Sequence, residues 1–151
     1  MAEALLTTLG AGRFKGFSAG SFPSGKPNPF AVEQAVAAGY PLASIRSKSW
    51  DEFSAVGAPK MQIIITVCDN AANEVCPIWP GHPATAHWGF ADPSTQGSND
   101  AERRAAFAKT FGLIKVPIMQ LIALSDTELA APNLAEKLAT FAPTTTTATA
   151  A

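Results

Sequence analysis

Apolar residues follow two different periods along this chain, and the change of period predicts strands alternating with helices. Residues 61–67 (MQIIITV) form an almost unbroken, largely β-branched run, which predicts a strand covered on both faces in a parallel sheet. Residues 85–90 (TAHWGF) predict a second strand, and residues 14–18 (FKGFS) a further short one. The chain therefore offers short buried strands separated by longer segments of a different pattern.

Three segments have the pattern of substantial helices. Residues 1–9 (MAEALLTTL) are rich in helix formers and stop at glycines, with no capping residue ahead of them. Residues 29–39 begin with proline and end with glycine, as helices commonly do. From Asp100, apolar residues recur at helical spacing as far as Ile118, and Pro117 should bend or break that helix.

Shorter helices are predicted between these segments. Residues 47–53 contain Ser49 and Glu52 at the spacing of a capping box, and residues 69–75 follow the strand at 61–67 with Asp69 or Asn70 as a cap. Residues 126–141 have a weaker helical pattern. The alternation predicts a three-layer α/β fold, a parallel sheet flanked by helices, in a single domain over residues 1–142. Residues 143–151 form a low-complexity tail.

Composition removes several classes of function. Eleven basic residues against twelve acidic ones give a net charge of −1, so the chain has no basic field for nucleic acid. The most apolar stretch, around Ile63–Ile65, is far shorter than the roughly 20 residues that span a membrane. The first residues include Glu3 where a secretory signal would be basic. We expect a cytoplasmic protein that binds neither nucleic acid nor membrane.

The two cysteines, Cys68 and Cys76, are the first candidates for chemistry. Cys68 is predicted at the carboxyl end of a strand and the start of a helix, where ligands bind in α/β sheets and the helix dipole favours thiolate. The alternative is an inert buried cysteine. Across a helix the two Cα atoms would be about 10 to 12 Å apart, beyond disulfide reach, so pairing would require the short helix to unwind.

Other side chains near these cysteines allow competing interpretations. Cys68, Cys76, His82 and His87 could hold a metal, but seven residues separate the cysteines where structural zinc sites usually have two to four. The histidines could equally be ordinary surface or packing residues. Asp92, followed by proline after a strand, could be a general acid or simply begin a turn. We expect no resident metal or cofactor.

The run ITVCDNAANEVCPIWPGHPATAHWGFADP, residues 65–93, resembles the arsenate reductases built on the low-molecular-weight tyrosine phosphatase fold. The resemblance extends through residues 18–20 (SAG), residues 46–53 (RSKSWDEF) and the helix from Asp100. In that family one cysteine attacks arsenate, a second displaces arsenite by forming a disulfide, and a third resolves it. The resemblance implies that Cys68 and Cys76 are the second and third, that Asp92 is the acid, and that thioredoxin or glutaredoxin with glutathione is the reductant.

One family motif is not found in this sequence. The family's oxyanion loop, Cys-x5-Arg after a strand, precedes a helix that often reads MAEALL, which here is residues 1–6. The sixth residues after Cys68 and Cys76 are Glu74 and His82, so neither cysteine begins such a loop. We therefore expect the first strand and its loop to be missing from this sequence, and arsenate reduction by this chain to be impaired.

Two alternative functions remain open. A phosphatase acting on phosphotyrosine-like esters would use the same type of oxyanion loop and an acid at Asp92, although Ser94 stands where such phosphatases commonly have an aromatic residue. A non-catalytic thiol or metal-binding module would need only the cysteines and histidines. Arsenate or phosphate is the expected oxyanion ligand in the first two cases.

Overall fold

The computed structural model describes residues 1–68 and 78–143, and within them two strands form a parallel sheet. The strands are β1 (Ile63–Thr66) and β2 (Ala84–His87). Backbone hydrogen bonds continue the pairing beyond the strands, from the Trp88 amide to the Thr66 carbonyl at 2.8 Å and from the Phe90 amide to the Val67 carbonyl at 3.1 Å. Both strands lie where the hydrophobic pattern predicted them.

The helices of the described chain are α1 (Ala2–Leu9), α2 (Pro29–Ala37), α3 (Asp51–Ser54), α4 (Asp100–Ile122), α5 (Asp126–Leu129) and α6 (Leu134–Ala139). Helix α2 begins as predicted, with proline in its first turn and the Asn28 side chain accepting a hydrogen bond from the Phe30 amide at 3.0 Å. Helices α1 and α2 pack on α4, and α6 packs on β2. The fold is α/β, with helices flanking a parallel sheet, as predicted.

The core lies between the sheet and the helices. Ile63 and Ile65 of β1 and the alanines opposite them on β2 pack against a cluster that includes Leu5, Ile114 and Leu138. The strand residues with the opposite orientation are less covered, since Thr85 and His87 are exposed. Coverage on both faces was predicted only for the strand at residues 61–67, and all four residues of β1 are partly buried.

The predicted capping box at Ser49 and Glu52 is wrong. The Glu52 carboxylate accepts two hydrogen bonds from the Arg46 guanidinium, at 2.9 and 2.6 Å, and helix α3 begins without a side-chain cap on its N-cap residue. A bidentate charged pair competes well with a backbone amide for a carboxylate. Ser125 and Glu128 instead form a complete capping box at the start of α5.

Proline does not break helix α4. The helix is continuous through Pro117, which is fully buried among core residues such as Ile114 and Ile118. Proline removes one intrahelical hydrogen bond, but burial of its ring and of the neighbouring apolar side chains offsets part of that loss. The prediction of a break is wrong, and a bend at this residue remains a prediction.

Two other predicted elements differ in the structure, and two predicted segments lie wholly or almost wholly outside the described residues. Residues 14–18 form no strand in the described chain, and the Gly16 amide donates to the Thr7 side-chain oxygen at 3.0 Å instead of joining a ladder. The helix predicted over 126–141 is divided into α5 and α6, with Pro132 between them. The helix predicted over 69–75 and nearly all of the tail, residues 144–151, lie outside the described residues.

The expectation that no segment of the chain has the length and composition to cross a membrane is wrong for helix α4. By length and composition alone this 23-residue helix could cross a membrane, and 39% of its most apolar 18 residues are buried in the protein. Its buried face supplies Phe107, Ile114, Ile118 and Leu121 to the interior. The helix therefore has apolar residues on its core face and, in addition, on its exposed face.

Arg13 ties the loop after α1 to the end of α4. Its guanidinium donates to the Ile122 carbonyl at 2.9 Å, to the Leu124 carbonyl, and to the Asp126 carboxylate at 2.7 Å. The last carbonyls of a helix have no intrahelical donors, and a cation there also interacts favourably with the helix dipole.

We predict that Arg13→Ala lowers the free energy of unfolding by about 1 to 3 kcal/mol, because carbonyls at the end of α4 lose charged hydrogen-bond donors. Urea unfolding followed by circular dichroism measures this. Arg103→Ala is the matched control, since Arg103 forms a 3.6 Å exposed pair with Asp100 in its own helix and should matter little. Equal losses in the two variants would contradict the capping role.

Candidate functional site

Cys68 lies just beyond the carboxyl end of β1. It is the second residue after Thr66, and it is an exposed free cysteine. The hydrophobic run at residues 61–67 brings it there, because Cys68 directly follows that run and the run forms β1. The alternative of a buried Cys68 is therefore wrong, and the reactivity of its thiol stays a prediction. An accessible thiol at this edge of a parallel sheet is in position for reaction with a soluble partner.

Asp92 follows the carboxyl end of β2, the neighbouring strand. Its exposed carboxylate accepts a hydrogen bond from the Ser94 amide at 2.8 Å and so caps a short 3-10 turn, Pro93–Thr95. Pro93 is buried, and this turn packs against α4. The turn and acid interpretations are thus compatible, because the turn fixes the backbone of Asp92 while the carboxylate faces solvent.

Parallel strands place Cys68 and Asp92 beyond the same edge of the sheet. Between them, the last residues of the two strands face each other, with the Thr66 hydroxyl 2.8 Å from the Nδ1 atom of His87. His82 is exposed and has a left-handed backbone conformation, with φ of 52°. Cys76 lies outside the described residues, so the structure neither brings it to Cys68 nor separates it.

The metal-site hypothesis is not tested, because one of its four proposed ligands lies outside the described residues. Within residues 1–68 and 78–143, no group of three or more His, Cys, Asp or Glu side chains is arranged to hold a metal ion. Cys76, which the hypothesis requires, is not in those residues. The expectation of no resident metal accordingly stays a prediction.

A buried charged cluster around Glu3 was not predicted. The Glu3 carboxylate accepts hydrogen bonds from the Lys48 ammonium at 2.8 Å, from the Tyr40 hydroxyl at 2.6 Å and from the Ser18 hydroxyl. Glu3 and Lys48 are both buried, with relative exposures of 9% and 7%. These four residues, here called the Glu3 cluster, connect helix α1 to three separate loops.

The Glu3 cluster shifts the ionisation of its own members. Burial raises the pKa of the Glu3 carboxyl, but hydrogen bonds from Lys48, Ser18 and Tyr40 outweigh that effect, and the pKa is lowered overall. Burial and the hydrogen bond to Glu3 raise the pKa of Tyr40 to about 12. The carboxylate therefore stays ionised and the phenol stays protonated at neutral pH.

The cluster lines a cavity of about 100 Å³ whose remaining wall includes Arg46 and apolar residues of α2. Ser18 belongs to the SAG segment and Lys48 to the RSKSWDEF segment, the two short motifs outside residues 65–93. These motifs thus meet on α1 in the fold. The one sequence signal for the cluster was an acid, Glu3, in an otherwise apolar stretch of helix.

Several curated proteins are similar in sequence to short parts of this chain. Arsenate reductase 1 of Bacillus cereus is 46% identical over 37 residues, which are 24% of this chain and 27% of that protein. The arsenate reductases of Bacillus licheniformis and Bacillus subtilis are 38% and 36% identical over 47 residues each, or 31% of this chain and 33% of each relative. The matched region therefore spans about a third or less of the length of these curated relatives.

A family-level match covers much more of the chain. The sequence model described as low molecular weight phosphotyrosine protein phosphatase matches residues 1–133. That range includes the Glu3 cluster, both cysteines, Asp92 and all of α4. The chain belongs to the low molecular weight phosphotyrosine protein phosphatase family.

Proposed function

We propose that this chain carries the electron-relaying dithiol of a thiol-dependent arsenate reductase, formed by Cys68 and Cys76. The observation that carries the proposal is the exposed Cys68 thiol just past β1, within the ITVCDNAANEVCP segment. Relatives named arsenate reductase support the choice of reaction. An exposed thiol at the carboxyl edge of a parallel sheet can be reached by both an oxyanion adduct and a reducing protein.

In the proposed reaction two electrons pass from sulfur to arsenic, so that two thiols are oxidised to a disulfide and arsenate is reduced to arsenite. A thiol first displaces water from arsenate to give an S–As(V) adduct. The Cys68 thiolate attacks the sulfur of that adduct, an S–S bond forms, and the S–As electron pair leaves with arsenic as arsenite. The Cys76 thiolate then attacks the Cys68 sulfur, which releases the first thiol and leaves a Cys68–Cys76 disulfide. A dithiol reductant such as thioredoxin, or glutaredoxin with glutathione, restores both thiols.

Asp92 has the proposed role of proton donor at the oxyanion. Its capping bond to the Ser94 amide uses one carboxylate oxygen, and the side chain is exposed beyond the same sheet edge as Cys68. A carboxyl group held there can give a proton to the oxygen that leaves as water when the S–As adduct forms. Its anchorage through buried Pro93 would limit movement of the backbone during this transfer.

The first thiol of this scheme is neither Cys68 nor Cys76, and it requires an oxyanion-binding loop beside it. Neither cysteine of these 151 residues begins a Cys-x5-Arg sequence, which would supply backbone amides and a guanidinium to a tetrahedral anion. We therefore propose that the 151-residue polypeptide, assayed alone, turns over arsenate at a rate near background while its dithiol remains competent for redox exchange.

The dithiol is tested directly by oxidation and enzymatic recycling. We predict that mild oxidation removes both free thiols and two hydrogen atoms per chain, and that thioredoxin, its reductase and NADPH restore them with one NADPH consumed per chain. Cys68→Ser and Cys76→Ser should each abolish the internal disulfide and leave one thiol that forms only mixed or intermolecular disulfides. Ser94→Ala, which removes a hydroxyl near Asp92 and leaves both thiols in place, should leave the exchange unchanged.

Two outcomes would overturn this proposal. Retention of two free thiols after oxidation would show that Cys68 and Cys76 do not pair. Hydrolysis of an aryl phosphate that is unaffected by either cysteine substitution would favour the second candidate, a phosphatase, which the family description and the exposed Asp92 carboxylate support. Ester hydrolysis needs no second or third thiol.

A further inference from the structure

The last residue pair of the β1–β2 sheet is joined through its side chains as well as through the backbone. Thr66 lies opposite His87 in the parallel register, and the Thr66 hydroxyl is hydrogen-bonded to the His87 Nδ1 atom at 2.8 Å. Both side chains lie on the sheet face opposite the core, because their neighbours Ile65 and Ala86 pack against the core cluster. This contact, here called the Thr66–His87 bond, lies two residues before Cys68.

The two strands differ in how firmly the fold holds them at this bond. On β2, His87 directly precedes Trp88, which is 1% exposed and ties the strand to helix α6. On β1, Thr66 is followed by Val67 and Cys68, and both of these are exposed. Exposed strand ends with few buried contacts open more readily than core strands. The Thr66–His87 bond therefore connects the exposed end of β1 to a well-anchored position on β2.

We propose that His87 is a positioning residue for the Cys68–Cys76 dithiol and that it acts through the Thr66 hydroxyl. This inference rests on the proposed function, because it concerns the equilibrium of that thiol pair. With the Thr66–His87 bond in place, the strand end that leads to Cys68 is ordered before the disulfide forms. Without the bond, the reduced chain frays there, so forming the S–S bond must also order the strand end, which costs free energy. The bond therefore favours the disulfide over the dithiol.

Matched substitutions separate this role from other effects of the imidazole. Thr66→Val removes the hydroxyl at nearly constant size, whereas Thr66→Ser keeps it. His87→Leu removes the ring nitrogen. His87→Asn keeps a polar atom bonded to Cγ, where Nδ1 stands, so it can still bond to Thr66 but can no longer exchange a proton with a thiol. Thr85→Val, which changes another exposed residue of β2, and His82→Asn are the controls.

Equilibration in glutathione buffers, followed by acid quenching and mass spectrometry, measures the stability of the internal disulfide. One oxidised glutathione takes up the two hydrogen atoms of the dithiol and becomes two reduced glutathiones. Thr66→Val and His87→Leu should each make the disulfide about 3- to 10-fold easier to reduce, as expected for one hydrogen bond, which is a shift of roughly 14 to 30 mV. Thr66→Ser, His87→Asn and both controls should match the parent chain.

The double variant of Thr66→Val with His87→Leu tests whether the two residues act through one bond. It should lose no more than either single variant, because the bond is already absent in each of them. Additive losses would overturn the proposal. So would a loss in His87→Asn as large as that in His87→Leu, since the imidazole would then act on the thiols by a route other than Thr66.

Amide hydrogen exchange measures the order of the strand end without any cysteine chemistry. The Phe90 amide donates to the Val67 carbonyl at 3.1 Å, and it should exchange about 3- to 10-fold faster in the two variants that break the bond. The Ala84 amide, which donates to the Gln62 carbonyl at the opposite end of the ladder, should be unchanged in the same proteins. Unchanged exchange at Phe90 would overturn the proposal. A parent chain that forms no internal disulfide would instead overturn the proposed function, and the exchange rates would still decide whether His87 orders the strand end.

Discussion

Replacing Lys48 with methionine is expected to lower the free energy of unfolding by about 3 to 5 kcal/mol, a large part of the stability of a chain this size. The loss arises because the buried Glu3 carboxylate, 9% exposed, would lose the cation that pairs with it at 2.8 Å. The Tyr40 and Ser18 hydroxyls would still donate to it, but neutral donors offset only part of the cost of burying a charge. Urea unfolding of the two proteins measures the difference.

The double variant Glu3→Gln with Lys48→Met is the control for this prediction. Removing both charges together removes the unpaired carboxylate, so the double variant should be more stable than Lys48→Met alone. A Lys48→Met protein as stable as the parent would show that the pair contributes nothing to the fold. If the double variant were less stable than Lys48→Met, the hydrogen bonds from Tyr40 and Ser18 to the Glu3 carboxylate would outweigh the cost of its unpaired charge.

The Glu3 cluster also has a defined pH dependence. The pKa of Glu3 is lower in the folded chain than the ordinary 4.5, so its ionised form stabilises the fold above that pH and this contribution is lost as the pH falls through the folded value. Other carboxyl groups with lowered pKa values, including Glu128 near 2, lose their contributions on acidification too. The loss of stability below pH 4.5 should therefore be smaller in Glu3→Gln than in the parent chain.

Local patterns predicted the elements but not the partners of their polar side chains. The spacing Ser-x-x-Glu occurs at Ser49 and at Ser125, yet only the second forms a capping box. Arg46 decides the first case by binding Glu52, and no rule based on helix starts alone considers that competition.

The candidate site likewise has one part that could be predicted from the sequence and one part that could not. A strand ending at Thr66 follows from the hydrophobic run, so the position of Cys68 at the sheet edge was predictable. The Glu3 cluster was not, because Ser18, Tyr40 and Lys48 are 15, 37 and 45 residues from Glu3 and meet it only when helix α1 packs on the loops. Helical periodicity identifies which side of α1 is buried, but it does not identify the group that meets a buried acid.

Trp79 and Trp88 are close in sequence, but they differ in burial and in hydrogen bonding. A tryptophan at either position is most simply a core or wall residue. Trp88 is 1% exposed, and its Nε1 donates to the Leu138 carbonyl at 2.8 Å, which ties β2 to α6. Trp79 is half-buried, and its Nε1 has no hydrogen-bond partner in the described part of the chain.

Trp88→Ala is expected to lower the free energy of unfolding by about 3 to 5 kcal/mol, because it leaves a large cavity beside Leu5 and Leu121 and removes a hydrogen bond to the Leu138 carbonyl. Trp88→Phe keeps most of the volume and should cost about 0.5 to 1.5 kcal/mol through the lost hydrogen bond, since the Leu138 carbonyl still accepts from the Phe141 amide at 3.1 Å. Trp79→Phe removes a buried donor that already lacks a partner, so it should be close to neutral or slightly stabilising. Thermal and urea unfolding of the three variants rank these costs, and a Trp79→Phe loss as large as that of Trp88→Phe would contradict the role assigned to the bond with Leu138.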